Sequence, residues 1–366
     1  MIQMVSLGDI CDIKIGRTPP RKQPQWFSES HGIKWVSIKN MGNTGKYISQ
    51  TSEFLTADAI KKFNIPIIPA GTLLMSFKLT VGRLGFTEYD MCSNEAIAQL
   101  PIKDPDMVDK NYLYYYLKNF NFGSLSSTSS IATAVNSKTV KNISVNLPPL
   151  DQQKKIADIL SSLDEKIELN RRMNEALEQL GQALFRHYFV DNHGAKDWEN
   201  IYLGDIVAIT TGKGSTKANL SEYGKYPLYG ANGIMGRSQN YLLNEKVIVT
   251  GRVGTLGVVR AVVDKAWFSD NVIIMKPDPS IFGYVFYVVC GIDYASLNRG
   301  STQPLITQTD LKNQRVKLPP LSTLQRFENS YAVIFNQIQA NKCQMSTLVA
   351  IRDSLLPKLI SGEIEI

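Results

Sequence analysis

Cysteine and histidine are scarce in this chain, and long apolar runs are missing. The four cysteines, Cys11, Cys92, Cys290 and Cys343, lie 81, 198 and 53 residues apart, a spacing that offers no Cys-x-x-Cys pair, no zinc set and no disulfide framework. They read as reduced packing residues of a cytoplasmic chain. The three histidines, His31, His187 and His193, stand at no recognisable interval from a nucleophile, which argues against triad chemistry. His187 falls at the end of a helical pattern, where packing or a dipole interaction accounts for it. The longest apolar run, Ile281–Ile292, is broken by Tyr and Gly and is too short to cross a bilayer. The first ten residues lack the charged and cleavable parts of a leader, so neither a membrane nor a secreted protein is expected.

Catalytic loops are missing as well. Asn146-Leu147-Pro148-Pro149-Leu150 is superficially close to the loop that holds a flipped base in adenine methyltransferases. It has an extra Leu, lacks the aromatic, and reappears as Lys317-Leu318-Pro319-Pro320-Leu321, so it reads as an extended hinge into a helix. No glycine-rich loop for a methyl donor accompanies it. Gly212-Lys213-Gly214-Ser215-Thr216 echoes a phosphate loop without the required interval before Gly-Lys-Ser/Thr. Asp104, Asp106 and Asp109 are the densest acidic set, but no Glu/Asp-x-Lys follows in a strand-like context, and a solvated loop explains them better than a metal centre. Catalysis, metal and resident cofactor are therefore not expected.

What is present is length, charge and repetition. A chain of 366 residues exceeds the usual single domain, so two or more are expected. Its net charge of +7 is unevenly spread: residues 1–146 carry 16 Lys+Arg against 11 Asp+Glu and residues 200–317 carry 13 against 8, whereas 147–199 carry 7 against 10 and 318–366 carry 4 against 4. Two equally basic blocks on a neutral frame point to two anion-facing modules.

The blocks are copies. Leu7-Gly8-Asp9-Ile10 returns as Leu203-Gly204-Asp205-Ile206, Gly82-Arg83-Leu84-Gly85 resembles Gly254-Thr255-Leu256-Gly257, and each block closes on Leu-Pro-Pro-Leu, at Leu147–Leu150 and Leu318–Leu321. From Leu7 to Leu147 is 140 residues and from Leu203 to Leu318 is 115, so the first copy carries 25 more, mostly between Pro19 and Pro69. If the copies bind ligands, the ligands differ.

A long helical pattern follows each Leu-Pro-Pro-Leu. In the first, Ile156, Leu160, Leu163, Ile167, Asn170, Asn174 and Leu177 alternate by fours and threes, continued by Leu180, Leu184 and Tyr188 after a phase slip. In the second, Leu324, Phe327, Tyr331, Ile334, Ile338, Asn341, Met345, Leu348, Arg352, Leu355 and Leu359 do the same. Such seams suit a coiled coil, and seam asparagines favour pairing with a partner helix over two amphipathic helices each packed on its own domain. Antiparallel pairing is expected to set the two modules at opposite ends of a rod, one helical turn of duplex apart.

Several local motifs then resemble one family, the specificity subunits of type I restriction-modification systems. They are Ile15-Gly16-Arg17-Thr18-Pro19 with Gly32-Ile33-Lys34-Trp35; Tyr226-Pro227-Leu228-Tyr229-Gly230-Ala231-Asn232-Gly233-Ile234; Gly251-Arg252-Val253-Gly254-Thr255; Gly300-Ser301-Thr302-Gln303-Pro304; and the C-terminal stretch from Arg352-Asp353-Ser354 to Gly362-Glu363-Ile364. The resemblance spans the whole chain. It implies two mixed α/β target-recognition domains, residues 1–150 and 200–321, each followed by a spacer helix, residues 151–199 and 322–366, in an antiparallel coiled coil. It implies double-stranded DNA as ligand, with two methyltransferase subunits and restriction translocase-nuclease subunits as partners that hold S-adenosylmethionine, ATP and Mg. A fused methyltransferase or nuclease lacks its loops here, and a scaffold that does not bind DNA leaves the charge partition unexplained.

Specific recognition needs cations and hydroxyls on phosphates, and Arg, Lys, Asn or Gln on base edges. In the first copy the candidates are Arg17, Thr18, Arg21 and Lys22 after the first strand, Ser37, Lys39 and Asn40 after Trp35, and Lys78 and Arg83 about the central turn. In the second they are Lys213, Ser215, Thr216 and Lys217, then Asn232, Arg237, Arg252 and Gln303. Lys78 and Arg252 overlay at the exit of an apolar strand. Two polar loops, Asn136-Ser137-Lys138 and Thr307-Gln308-Thr309, align across the duplication and differ in sequence, as base-reading positions should.

Overall fold

The computed structural model describes residues 3–41, 45–125, 136–214 and 223–366. The chain forms two compact units, one of residues 1–172 with 341–366 and the other of residues 173–340. Both are mixed α/β. Among the described residues no helix is long and apolar enough to cross a membrane.

The first unit is built on a five-stranded sheet in the order Lys14–Ile15, Ile97–Leu100, Leu73–Ser76, Leu84–Thr87, Tyr47–Ile48. The first four are antiparallel neighbours and the last joins in parallel. Leu73–Ser76 and Ile97–Leu100 are buried along their whole length, as expected of strands covered on both faces. Alternate side chains serve different cores: Leu73 and Met75 face Tyr112, Leu113 and Leu117 of the helix Lys110–Asn119, whereas Leu74 and Ile97 pack with Val36, Ile48, Ile68 and Met91. A four-stranded sheet, Phe27–Ser28, Glu53–Leu55, Ile33–Val36, Cys92–Ser93, lies alongside, its last pair parallel. Gln3–Ser6 pairs with Ser144–Leu147 and so ties the start of the copy to its end. Cys11 and Cys92 are core residues, and burial pushes both thiols up to about 12.

The second unit repeats this plan with fewer strands. Its main sheet runs Val207–Thr211, Val272–Pro277, Val247–Gly251, Arg260–Val262; a three-stranded sheet of Gly233–Ser238, Tyr226–Gly230 and Trp267–Phe268 again ends in a parallel pair; and Glu199–Tyr202 pairs with Arg315–Leu318. The duplication read from short motifs is therefore a duplication of topology. Much of the extra length of the first copy lies in Phe27–Ser28, Tyr47–Ile48, Glu53–Leu55 and the helix Ala57–Lys62. Leu7–Ile10 and Leu203–Ile206 are single helical turns, each held by an aspartate that accepts the N–H of the preceding residue, Asp9 from Ser6 at 3.1 Å and Asp205 from Tyr202 at 2.9 Å.

The helices begin directly at the second leucine of each Leu-Pro-Pro-Leu and run Leu150–Phe185, closing in a π-helical turn at Arg186–Val190, and Leu321–Ser361. Both contribute residues to both units. Within the first unit, Asp164 and Asn170 of one helix meet Arg352 and Gln344 of the other, at 2.6 and 2.7 Å, so numbering rises along one as it falls along the other. Asp164 also accepts the Tyr115 hydroxyl at 2.7 Å and has the Lys118 ammonium at 4.0 Å. Beside it Lys46 is buried on Ser161 at 2.8 Å among the rings of Phe86, Tyr114 and Tyr115, and burial pulls its ammonium below the ordinary lysine range.

Within the second unit the seam is aromatic. Phe189 lies 4.8 and 4.9 Å from the ring centres of Tyr284 and Phe327. Glu328 accepts the first N–H groups of the helix Phe282–Cys290, from Gly283 at 3.0 Å and Tyr284 at 2.8 Å, and burial raises its carboxyl above the usual range. One seam position is corrected: Leu180 is exposed and Gly181 takes the inward place, because Tyr287 approaches so closely that a Cβ on Gly181 would stand 2.0 Å from its hydroxyl. The remaining predicted seam positions of both helices are buried or half-buried.

Asp164→Ala would take from Tyr115 its acceptor, from Lys118 its ion-pair partner and from Arg352 the more buried of its two carboxylates, leaving it only Asp353. It is expected to destabilise the first unit by about 3–5 kcal/mol, whereas Asp12→Ala, which breaks the exposed Asp12–Lys14 pair, is expected to change stability by less than about 1 kcal/mol. Chemical unfolding of the two variants checks this; equal effects would contradict it.

Candidate nucleic-acid interface

In both copies the first strand of the main sheet ends on a glycine that crosses the parallel strand pair at contact distance. A Cβ on Gly16 would lie 2.1 Å from the Ser93 carbonyl, and one on Gly212 would lie 2.2 Å from that of Ser269. Close crossing, not phosphate binding, requires these glycines. The next residue is pinned in both: the Arg17 N–H donates to Ser93 O and the Lys213 N–H to Phe268 O, each at 2.9 Å. An indole then donates to the carbonyl of that residue, Trp35 to Arg17 at 3.3 Å and Trp267 to Lys213 at 3.2 Å. The two tryptophans come from opposite members of the parallel pair.

From this point the first copy builds a polar rim. The Arg17 guanidinium donates to the carbonyls of Phe63 and Asn64 at 3.0 and 2.9 Å. Thr18 donates to Glu95, whose carboxyl is lowered despite burial by that bond and by the Lys78 and Arg21 charges nearby. Arg21 grips Glu53 with both terminal nitrogens and stacks over Phe27 and Trp35, 4.5 Å from each ring centre. Ser37 and Asn40 bond each other at 2.8 Å, and Arg83 donates to the Ile38 carbonyl at 2.9 Å, which joins the central turn to the segment carrying Lys39. Glu95 went unnoticed in the sequence because its partners stand 77 residues away and on another strand exit.

In the second copy Arg252, Thr307 and Gln308 line a polar recess of about 270 Å³ together with Thr211 and Thr309. The strand exit is laced to the segment that follows Gln303: Gly254 N donates to Pro304 O at 2.9 Å and Ile306 N to Arg252 O at 3.0 Å. Gln303 reaches over Gly254, its amide nitrogen 3.2 Å from where a Cβ would be. Gln308, with its amide turned to satisfy both groups, donates to Ile209 O and accepts from Thr211 N, each at 3.2 Å. Asn232 sits at the turn of the hairpin Tyr226–Ser238, where its carbonyl accepts from Arg260, and Arg237 on the same hairpin donates to the carbonyls of Gly224 and Lys225.

The two aligned polar segments differ from expectation in one respect: they are helix starts, not loops. Asn136 caps Ser137–Lys141, accepting from Lys138 N and Thr139 N, and Thr307 caps Gln308–Lys312, accepting from Asp310 N. Ser215, Thr216 and Lys217 lie outside the described residues. Among the described residues, Lys22, Lys39, Ser137, Lys138, Lys213, Asn232, Arg252 and Gln303 have side chains with no hydrogen-bond or ion-pair partner, and all but the half-buried Arg252 are exposed. No group of three His, Cys, Asp or Glu among the described residues is placed to hold a metal. Asp109 caps the helix Lys110–Asn119, and Asp104 accepts the Asp106 N–H.

A profile of the type I restriction modification DNA specificity domain matches residues 2–179 and 195–338. The chain belongs to the type I restriction-modification specificity family. Its relatives include the MjaIX specificity subunit of Methanocaldococcus jannaschii, 26% identical over 412 residues with 98% of this chain and 93% of the relative covered. A shorter stretch is 51% identical over 53 residues to the HindI specificity subunit of Haemophilus influenzae, covering 14% and 12% of the two chains. The fold is that of the specificity subunit from M. genitalium in its crystal structure, with a TM-score of 0.65, 18% identity, and 98% and 96% of the two chains covered. The specificity family supplies recognition, in agreement with the non-catalytic reading reached from the residues.

Proposed function

We propose that this chain reads a bipartite, asymmetric site on double-stranded DNA and works in the cytoplasm. Residues 1–150 and 200–321 are the two target-recognition domains, and residues 151–199 and 322–366 are the spacer helices on which two methyltransferase subunits and the restriction translocase-nuclease subunits assemble. Those partners bring S-adenosylmethionine, ATP and Mg; this chain brings the address. The observation that carries the reading is one sheet topology used twice with different side chains on its rim. A repeated scaffold supports two contacts of the same kind, and Lys78, Lys39 and Ser137 on one rim against Arg252, Lys213 and Gln308 on the other support two different sequences. Lys22, Lys39 and Lys213, with no internal ion pair, suit phosphates; Arg252 at a strand exit and Gln303 over the following Gly254 suit base edges. Arg17, Arg21, Arg83 and Arg237 hold loop backbones or carboxylates in shape, so they act on DNA as the frame of the rim and by their charge.

Mapping methylated adenines in DNA from cells that produce the chain with its methyltransferase partner tests the reading. The expected result is two unrelated short sequences at a fixed separation; a contiguous or palindromic site would contradict it. Anisotropy titrations with the assembled complex separate the two roles. Lys213→Ala is expected to weaken binding to specific and random duplexes alike and to lower the salt slope by about one. Arg252→Ala is expected to relax one half-site only, by about 1–3 kcal/mol. Equal losses on specific and random DNA for Arg252→Ala would remove it from base reading.

A further inference from the structure

Leu79 breaks two rules at once. Its side chain is 96% exposed, the most exposed large apolar residue among those described, and its backbone sits at φ 61°, in the left-handed region that branched L residues rarely adopt. An isolated exposed leucine needs no explanation, but one held in a strained conformation does.

The loop that carries it is fixed at its base. It joins the antiparallel strands Leu73–Ser76 and Leu84–Thr87, and Ser76 organises it: its carbonyl accepts Gly82 N at 2.9 Å, its hydroxyl accepts Arg83 N at 3.0 Å, and that hydroxyl donates to the Thr80 carbonyl. Phe77 is buried beneath, its N–H on the Ala96 carbonyl at 2.9 Å. Arg83 anchors the far side on Ile38. Lys78 precedes the tip, and Lys39 stands in the segment to which Arg83 bonds. The tip is thus an apolar side chain presented rigidly from a cationic rim.

The second copy has no counterpart. Its equivalent turn runs from Arg252 to Gly254, two residues shorter than Lys78 to Gly82, and Val253 there is half-buried and bridged to Leu305. The feature therefore belongs to what distinguishes one copy from the other, and it would bear on one half-site only.

We propose that Leu79 is a specificity-determining residue that lies against a thymine 5-methyl group in the half-site read by the first copy. The inference rests on the DNA-reading function above. Between phosphates held by cations, the apolar feature that a duplex offers to a side chain in the major groove is that methyl group. Pre-forming the strained turn in the free protein spares its ordering on binding.

The test replaces each thymidine of the site by deoxyuridine, one at a time, and measures binding by the full chain assembled with its methyltransferase subunits. With the unaltered chain, one replacement is expected to weaken binding about fourfold, the effect of one buried methyl. With Leu79→Ala that replacement is expected to have no effect, with Leu79→Met the sensitivity returns, and unfolding midpoints stay unchanged. Arg252→Ala, run in parallel, marks the half-site of the second copy. The inference is overturned if Leu79→Ala keeps the same thymidine-to-deoxyuridine ratio at every position, if no position is sensitive, or if the change falls in the half-site marked by Arg252→Ala. If the unaltered complex prefers no bipartite site, the proposed function fails and this inference fails with it.

Discussion

The carboxylate of Asp164 is the constraint on which the first unit depends. It is reached by Tyr115 and Lys118 from the helix Lys110–Asn119 and by Arg352 from the second long helix, three contributors separated by 49, 46 and 188 residues in the chain. Its side chain is 10% exposed and that of Arg352 is 14% exposed, so each charge replaces much of the other's lost water, with Lys118 and Asp353 as the further partners of the two. Apolar packing around them by Ile156, Leu160, Leu356 and Leu359 supplies bulk stabilisation without direction. The ion pair adds register, because a shift of either helix by one residue would separate Arg352 from Asp164 and break the shared bond at 2.6 Å. In the second unit the same joint is made differently, by the Phe189–Phe327–Tyr284 cluster and by Glu328 on the start of the helix Phe282–Cys290.

A sheet fastened in this way to a long helix leaves its far rim free to vary. The main strands are largely apolar and buried, so differences between the copies that meet a ligand fall on strand exits and on the shorter sheet. Within each copy the exits are stiffened by the protein's own groups: arginine on backbone carbonyl, threonine on carboxylate, indole on carbonyl. A rim that is already ordered loses little freedom on meeting a ligand, and among the described residues Lys22, Lys39, Lys213 and Arg252 are cations left over for it. Divergence of the rims over a common topology is what a reader of two different sequences requires.

Much of this architecture was legible in the residues. Leu-Gly-Asp-Ile and Leu-Pro-Pro-Leu mark backbone events, a capped turn and a helix entry, whose chemistry is local and survives in short motifs. The seams were readable because a fixed repeat of apolar positions has one structural meaning. Leu180 misled because periodicity sees hydrophobicity and not the approach of Tyr287 to Gly181, which is a tertiary event. Helix starts at Asn136 and Thr307 looked like loops since each helix is a single short turn whose first residues are polar. The rim was readable only as a set of residue types. Whether an arginine holds a carbonyl, as Arg17 and Arg83 do, or stands free of partners, as Arg252 does, depends on partners brought in from 45 or more residues away.

The central claim is that each copy reads its own half of the site independently. Replacing residues 200–321 by the corresponding segment of the Methanocaldococcus jannaschii relative, with both long helices retained, and then mapping methylated adenines in cells with the same partner subunits, tests it most directly. The expected result is a new sequence in one half, with the other half and the separation unchanged. A change in both halves, or an unchanged site, would contradict it.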